Sequence, residues 1–155
     1  MIVVIALLSI ILLFSMPRFQ GTVLQDSRQK TVRWVVYTVK KLRQDAVKHQ
    51  KIHTLHVEMG DSSMWVSNEA MTEEEAEDAR QERYEFPDHT EIAEVAFPDG
   101  EKTSFGRADI RFYPKGYSDR AMIHLQVDDD EEITLRIEPF LPNISVYDAY
   151  EEFDQ

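Results

Sequence analysis

The stretch AMIHLQVDDDEEITLRI, residues 121–137, holds two alternating runs around an acidic centre. Ile123, Leu125 and Val127 stand at every second position, and Ile133, Leu135 and Ile137 repeat that spacing after the charges. Side chains of a strand point to opposite faces in turn, so each run buries one face and the pair reads as an antiparallel hairpin. The same alternation appears outward from it. Upstream, Ile110 and Phe112 alternate before the break at Pro114-Lys115-Gly116, and residues 92–97 form a strand ending in the turn signal Pro98-Asp99-Gly100. Further upstream, Leu55, Val57 and Met59 alternate, and residues 64–66 form a short β-like run after GDSS. EAMTEEEAEDARQER, residues 69–83, has good helix formers but little apolar face, which predicts an exposed helix between strands. Downstream, Pro139 and Pro142 interrupt, Ile144 and Val146 predict a short edge strand, and the closing YDAYEEFDQ predicts a loosely held tail. Alternation alone leaves open whether these strands make one sheet or two.

The N-terminal third follows a different period. Val32, Val35, Val39, Leu42 and Ala46 recur at spacings of 3 and 4, one face of a helix over roughly residues 18–50 that packs against the strands. Arg28, Lys30, Arg33, Lys40, Lys41, Arg43 and Lys48 lie mostly off that stripe, while Trp34 and Val36 widen it. Before it, residues 1–14 contain thirteen apolar residues and one serine, and no charge appears until Arg18. Seventeen such residues rise about 25 Å as a helix, somewhat short of a ~30 Å hydrocarbon core. A secretory signal is disfavoured because no Lys or Arg precedes the run and SMPRFQG offers no convincing small-x-small junction. A helix buried in the fold is disfavoured because the run has no polar face. A membrane-embedded helix is the better reading, with Pro17 as a kink. Joined, the two segments predict one helix near 50 residues, about 75 Å long, part of which projects. The expected fold class is therefore α+β, a long N-terminal helix packed on an antiparallel sheet or sheets. Residues 1–17 are its hydrophobic segment, 18–50 its amphipathic continuation, and 51–155 a β-rich domain with an acidic insert at about 69–88.

Charge narrows the function. The chain of 155 residues carries a formal −12, but residues 1–56 sum to +7 and residues 57–155 to −19. An acidic body argues against nucleic acid, whose binding leans on neutralising phosphates. The basic segment beside the apolar run suits anionic lipid or an acidic protein surface. The absence of cysteine excludes disulfides, thiolate zinc sites and a thiol nucleophile. His49, His53 and His56 cluster, but without the HExxH arrangement, and a strand beginning near Ile52 separates the last two, so no metal is expected there. Asp128 to Glu132 lacks the spaced ligands and central glycine of an EF-hand loop and reads as a charged turn rather than a calcium site. No nucleophile elbow, phosphate-binding loop or dinucleotide fingerprint is present, and no carboxylate pair stands out, so no enzyme and no cofactor are expected.

MIVVIALLSIILLFSMPRFQG, residues 1–21, resembles the hydrophobic helix of type IV pilin-like proteins, with Pro17 at the place where that family often carries a proline. DIRFYPKGYSDRAMIHLQV and EEITLRIEPFLPNISVYD are similar to the end of minor pseudopilins of the H type, the GspH/FimT group. Phe112, Pro114 and Gly116 match that group's turn, and Leu125, Leu135 and Pro139 its following strands and closing proline. The resemblance covers nearly the whole chain except the acidic insert. It implies a pilin-like fold and a single-pass protein of the bacterial inner membrane, its globular domain in the periplasm. It also implies a structural subunit of the pseudopilus tip in type II secretion, acting by assembly without bond chemistry. Ile2, Ile5, Leu8, Leu12 and Pro17 would contact lipid before assembly and neighbouring helices after it. The partners implied are other minor and major pseudopilins, with secretin-side components or exoproteins beyond them. The family's leader, processing junction and early glutamate do not stand before Met1, so the match places the start a few residues into the mature helix. Two alternatives stay open: a minor pilin of a type IV pilus, and a signal-anchored periplasmic adaptor outside any filament.

Overall fold

The computed structural model describes residues 17–128 and 131–153, with side chains in the first helix from Arg28 onward. Helix α1 (Pro17–His49) leads into β1 (His53–Glu58) and β2 (Ser63–Asn68). Then come helix α2 (Glu73–Gln81), β3 (Tyr84–Glu85), β4 (Thr90–Ala96) and β5 (Lys102–Thr103). Strands β6 (Arg107–Phe112), β7 (Ala121–Val127), β8 (Glu131–Ile137) and β9 (Ser145–Tyr147) complete the chain.

The strands divide into two antiparallel sheets. Sheet I has four strands in the order β3-β2-β1-β6, and sheet II has five in the order β5-β4-β7-β8-β9. The hairpin of residues 121–137 lies at the heart of sheet II, with Ala121 opposite Ile137, Ile123 opposite Leu135 and Leu125 opposite Ile133. Its buried face meets that of sheet I in one core: Leu55, Val57, Met64, Ile110 and Phe112 from one side, Val95, Ile123, Leu125, Ile133, Leu135 and Ile137 from the other. Closing sheet I requires β6 to pair with β1 across about fifty residues of sequence, Leu55 opposite Ile110 and His53 opposite Phe112.

The expected fold class is corrected by this architecture. The chain is mostly sheet, two antiparallel layers of four and five strands, and not a long helix packed on a sheet. The buried positions of α1 run from Thr31 to Ala46, and this part of the helix lies on β1 and β6 and joins the shared core. The helix packs on the core-facing side of β1 and β6 and contributes Val35, Val39, Leu42 and Ala46 to the cluster that both sheets share. Residues 1–16 lie outside the described residues, and with them the predicted apolar segment. Among the described residues no helix is long and apolar enough to cross a membrane.

Local chemistry explains the remaining boundaries. Gln50 ends α1 in a left-handed conformation (φ 54°), its side-chain amide donating to the Val47 carbonyl at 2.7 Å. Helix α2 begins in a capping box: the Thr72 hydroxyl accepts from the Glu75 N–H at 3.2 Å, and the Glu75 carboxylate accepts from the Thr72 N–H at 2.8 Å. In the turn after β4, Gly100 takes φ 85°, a conformation that a side chain disfavours. One irregularity sits inside β4, where Ile92 faces Leu125 and Glu94 faces His124, so Ala93 is an extra residue. That bulge puts both Ile92 and Val95 in the core.

The tail departs from expectation. Instead of hanging loosely, residues 149–153 lie across the outer face of sheet II. The Thr134 hydroxyl donates to the Ala149 carbonyl at 2.7 Å and accepts from the Glu151 N–H at 3.1 Å. An Arg120 guanidinium covers the Phe153 ring at 4.7 Å.

Candidate functional site

Three features of the described chain have chemistry worth weighing: the dressed and bare faces of α1, a polar clasp on sheet I, and a polar cluster under the tail.

On α1, Val35, Val39, Leu42 and Ala46 are buried and Val32 is half-buried against the core. Arg43, on the flank, donates to the Ser118 hydroxyl at 3.1 Å and to the Glu138 carbonyl, tying the helix to the ends of β7 and β8. Arg28 pairs with Asp148 and, at 3.7 Å, with Glu131. The opposite face carries Arg33, Tyr37, Lys40, Lys41, Gln44, Val47 and Lys48, all exposed, Tyr37 at 66%. The turn matched by resemblance packs beside it. Phe112 is fully buried, and Pro114 and Gly116 lie in a turn closed by the Tyr113 N–H on the Tyr117 carbonyl at 2.8 Å. A Cβ on Gly116 would sit 3.7 Å from Val47, an ordinary contact, but its φ of 89° favours glycine. Leu125 and Leu135 are buried in sheet II, and the Pro139 carbonyl accepts from the Ser118 N–H at 3.2 Å. Pro17 opens the described part of α1, and Ile2, Ile5, Leu8 and Leu12 lie outside the described residues.

The clasp was invisible in the sequence. His56 on β1, Ser67 on β2 and Asp109 on β6 meet on the face of sheet I away from the core. The imidazole Nδ1 is 2.7 Å from an Asp109 carboxylate oxygen, and Nε2 is 2.7 Å from the Ser67 hydroxyl. A neutral ring donating to Asp109 accepts from Ser67, the order of groups in a serine nucleophile relay. The hydrogen bond from His56 holds the Asp109 carboxyl below its usual range. Three observations weigh against such chemistry. Register places Ser67 opposite Thr54, two residues from the Glu69 N–H that donates to Ile52, so the Ser67 N–H is spent on the ladder and is no oxyanion donor. The Trp65 ring lies flat on the imidazole, centroids 3.8 Å apart, and Arg107 shares the Asp109 carboxylate at 3.1 Å. This geometry is a cross-strand tie holding three strands in register. His53, of the opposite parity, faces the other way, its ring tilted against that of His49 with centroids 5.8 Å apart.

Under the tail, His124 is buried at 3% exposure and Tyr150 stacks on it at 4.3 Å. The Thr134 hydroxyl gives its proton to Ala149, so His124 donates from Nδ1 at 3.1 Å. Its Nε2 is then a bare acceptor without a partner, 3.9 Å from Glu94. Burial pushes the His124 pKa down. The Tyr150 hydroxyl donates to Glu94 at 2.6 Å, which raises its pKa, and Lys102 donates to Tyr150 at 2.8 Å and to Glu152 at 2.9 Å. The Lys102 ammonium is held charged above its usual range, first by Tyr150 and then by Glu152. A cleft of about 310 Å³ opens beside them, bounded by Phe97, Pro98, Lys102 and Phe153. The cluster secures the tail and contains no nucleophile beside a free base.

No group of side chains that could hold a metal ion occurs among the described residues; Asp129 and Asp130 of the acidic turn lie outside them. In comparison with known proteins, the chain matches no protein-family model, no curated protein and no solved structure.

Proposed function

We propose that the chain is a structural subunit of a periplasmic filament, a minor pseudopilin of the type II secretion pseudopilus. A single apolar helix would hold it in the bacterial inner membrane before assembly. The reading rests first on the resemblance of residues 1–21 to the pilin-like hydrophobic helix. The observation that supports it in the folded chain is the division of α1 into two faces. One face is consumed by the core, while the other presents four cations and Tyr37 to solvent, as a subunit packed among neighbours requires. The two polar clusters are spent on holding strands and tail, consistent with a protein that acts by assembling rather than by making bonds. Expected partners are other minor and major pseudopilins, then secretin-side components or exoproteins, with membrane lipid before assembly. No cofactor and no nucleic acid enter this reading.

The test is photo-crosslinking through a reactive residue at Ile5 or Leu12 in cells producing the other pseudopilins, alongside a secretion assay in a strain lacking this chain. The expected result is adducts to neighbouring pilin-like helices and loss of exoprotein release. A strictly monomeric membrane species, crosslinked only to lipid, would sink the proposal.

A further inference from the structure

The exposed face of α1 is a stripe of one sign. Arg33, Lys40, Lys41 and Lys48 occupy it with Tyr37 and Val47, and the one carboxylate among the described side chains of the helix, half-buried Asp45, stands at its edge four residues from Lys41. Arg33 donates to the Gln29 carbonyl of its own helix, and Lys40, Lys41 and Lys48 form no ion pair among the described residues. Four cations spread over about 22 Å of helix, with only Asp45 at their edge, repel one another, a cost that an acidic surface laid along them lowers.

Such a surface exists on the same chain. Helix α2 has no buried residue, and Glu73, Glu74, Glu77, Asp78 and Glu82 are all exposed. Its cations are occupied within the body, Arg80 with Glu58 at 3.6 Å and the neighbouring Arg83 with Asp61 and Glu85. At nine residues α2 is about 13 Å long, enough to span the ~10 Å between Lys41 and Lys48.

The two helices cannot meet within one molecule. Leu55 and Val57 of β1 point to the core, where α1 packs, whereas Glu58, which Arg80 reaches, points to the reverse face of sheet I. α1 and α2 therefore flank sheet I on opposite sides. We propose that α2 of a second copy of this chain docks along the Arg33–Lys48 stripe of α1. Because the two patches differ and lie on opposite faces, the contact is head-to-tail and propagates as an open chain instead of closing into a two-fold dimer. The proposal rests on the assembly reading and deepens it by naming the surfaces that meet.

The chain has no cysteine, so introduced pairs report the contact directly. The full chain, held in detergent, carries Lys41→Cys and Glu74→Cys together and is oxidised at about 0.05 M and about 0.5 M salt, across which the Debye length shrinks roughly threefold. The expected result is a ladder of disulfide-linked dimers, trimers and longer species at low salt that is several-fold weaker at high salt. Lys41→Cys paired with Asp99→Cys, exposed on the far turn of sheet II, should give no ladder above background. A charge reversal on one helix, Lys40→Glu with Lys48→Glu, should abolish the ladder, and Glu73→Lys with Glu77→Lys in the same chain should restore it. These positions are solvent-exposed, so folding is not at stake. The proposal is overturned by a ladder no stronger than the Asp99 control, by dimers alone, or by binding of the stripe to anionic vesicles without self-linkage. If adducts at Ile5 to other pseudopilins persist while the ladder is absent, the subunit role stands and only this contact falls.

Discussion

Truncating Leu42 to alanine tests the seam between α1 and the sheets. Leu42 is 2% exposed and lies in the stripe that joins the shared core. Removing three carbons forfeits about 2.4 kcal/mol at ~0.8 kcal/mol each, and the cavity left behind raises this to roughly 3 kcal/mol. The two tryptophans separate the readouts. Trp34 of α1 stacks on Tyr84 of β3, centroids 4.2 Å apart, and reports docking of the helix, whereas Trp65 lies within sheet I. In urea, with a slope near 1.5 kcal/mol per molar, the midpoint should fall by about 2 M. The exposed neighbour Gln44→Ala should change stability by less than about 0.5 kcal/mol. A Leu42→Ala cost below about 1 kcal/mol, or an equal cost for Gln44→Ala, would refute the assignment of this face to the core.

Burial depresses the His124 pKa below its unfolded value near 6.5, so the neutral ring contributes stability that is complete above that pH. Stability should decline as pH falls below about 6.5, and a His124→Gln chain followed by thermal melts should flatten that slope. Tyr150→Phe removes the bonds to Glu94 and Lys102 and, at 40% exposure, should cost only about 1 kcal/mol, read as faster hydrogen exchange at residues 149–153. Thr72→Ala breaks the capping box and should loosen α2 by about 1 kcal/mol, seen as lost exchange protection over Glu73–Gln81 with the sheets unchanged. A fluorophosphonate probe should leave Ser67 unlabelled, since its N–H is committed to the ladder; labelling that His56→Ala abolishes would reverse that reading.

What the residues disclosed depended on the range of the interaction. The hairpin of β7 and β8 was legible because both runs alternate in step and lie next to each other. The α1 stripe was legible because a 3.6-residue period repeats over four turns. The division into two sheets was not, because alternation tells which side of a strand is buried and nothing about which strand lies beside it. The pairing of Leu55 with Ile110 is of that kind. The clasp of His56, Ser67 and Asp109 needs three strands in register, so His56 reads from sequence only as the last of a histidine cluster without a metal motif. The tail was misjudged for a related reason. It looks solvated until Lys102 of β5 meets the Glu152 carboxylate, Arg136 of β8 the Glu152 carbonyl, and Arg120, just before β7, the Phe153 ring. Strands β3 and β5, two residues each, are too short to show any period.

Ala93 has a consequence out of proportion to its size. Were β4 regular, Glu94 would share the parity of Ile92 and aim its carboxylate into the oily interior. The single additional residue resets odd and even, delivering Glu94 to the outside, where it receives the hydroxyl of Tyr150. An exposed alanine with no polar partner thus acts as a phase shifter for the last segment of the chain. Ironing it into a regular ladder would demand either an interred anion or a slipped strand, and in both cases the tail would lose its anchor while every residue that touches it remained in place; deleting it outright would instead leave Ile92, Glu94 and Val95 alternating in, out, in.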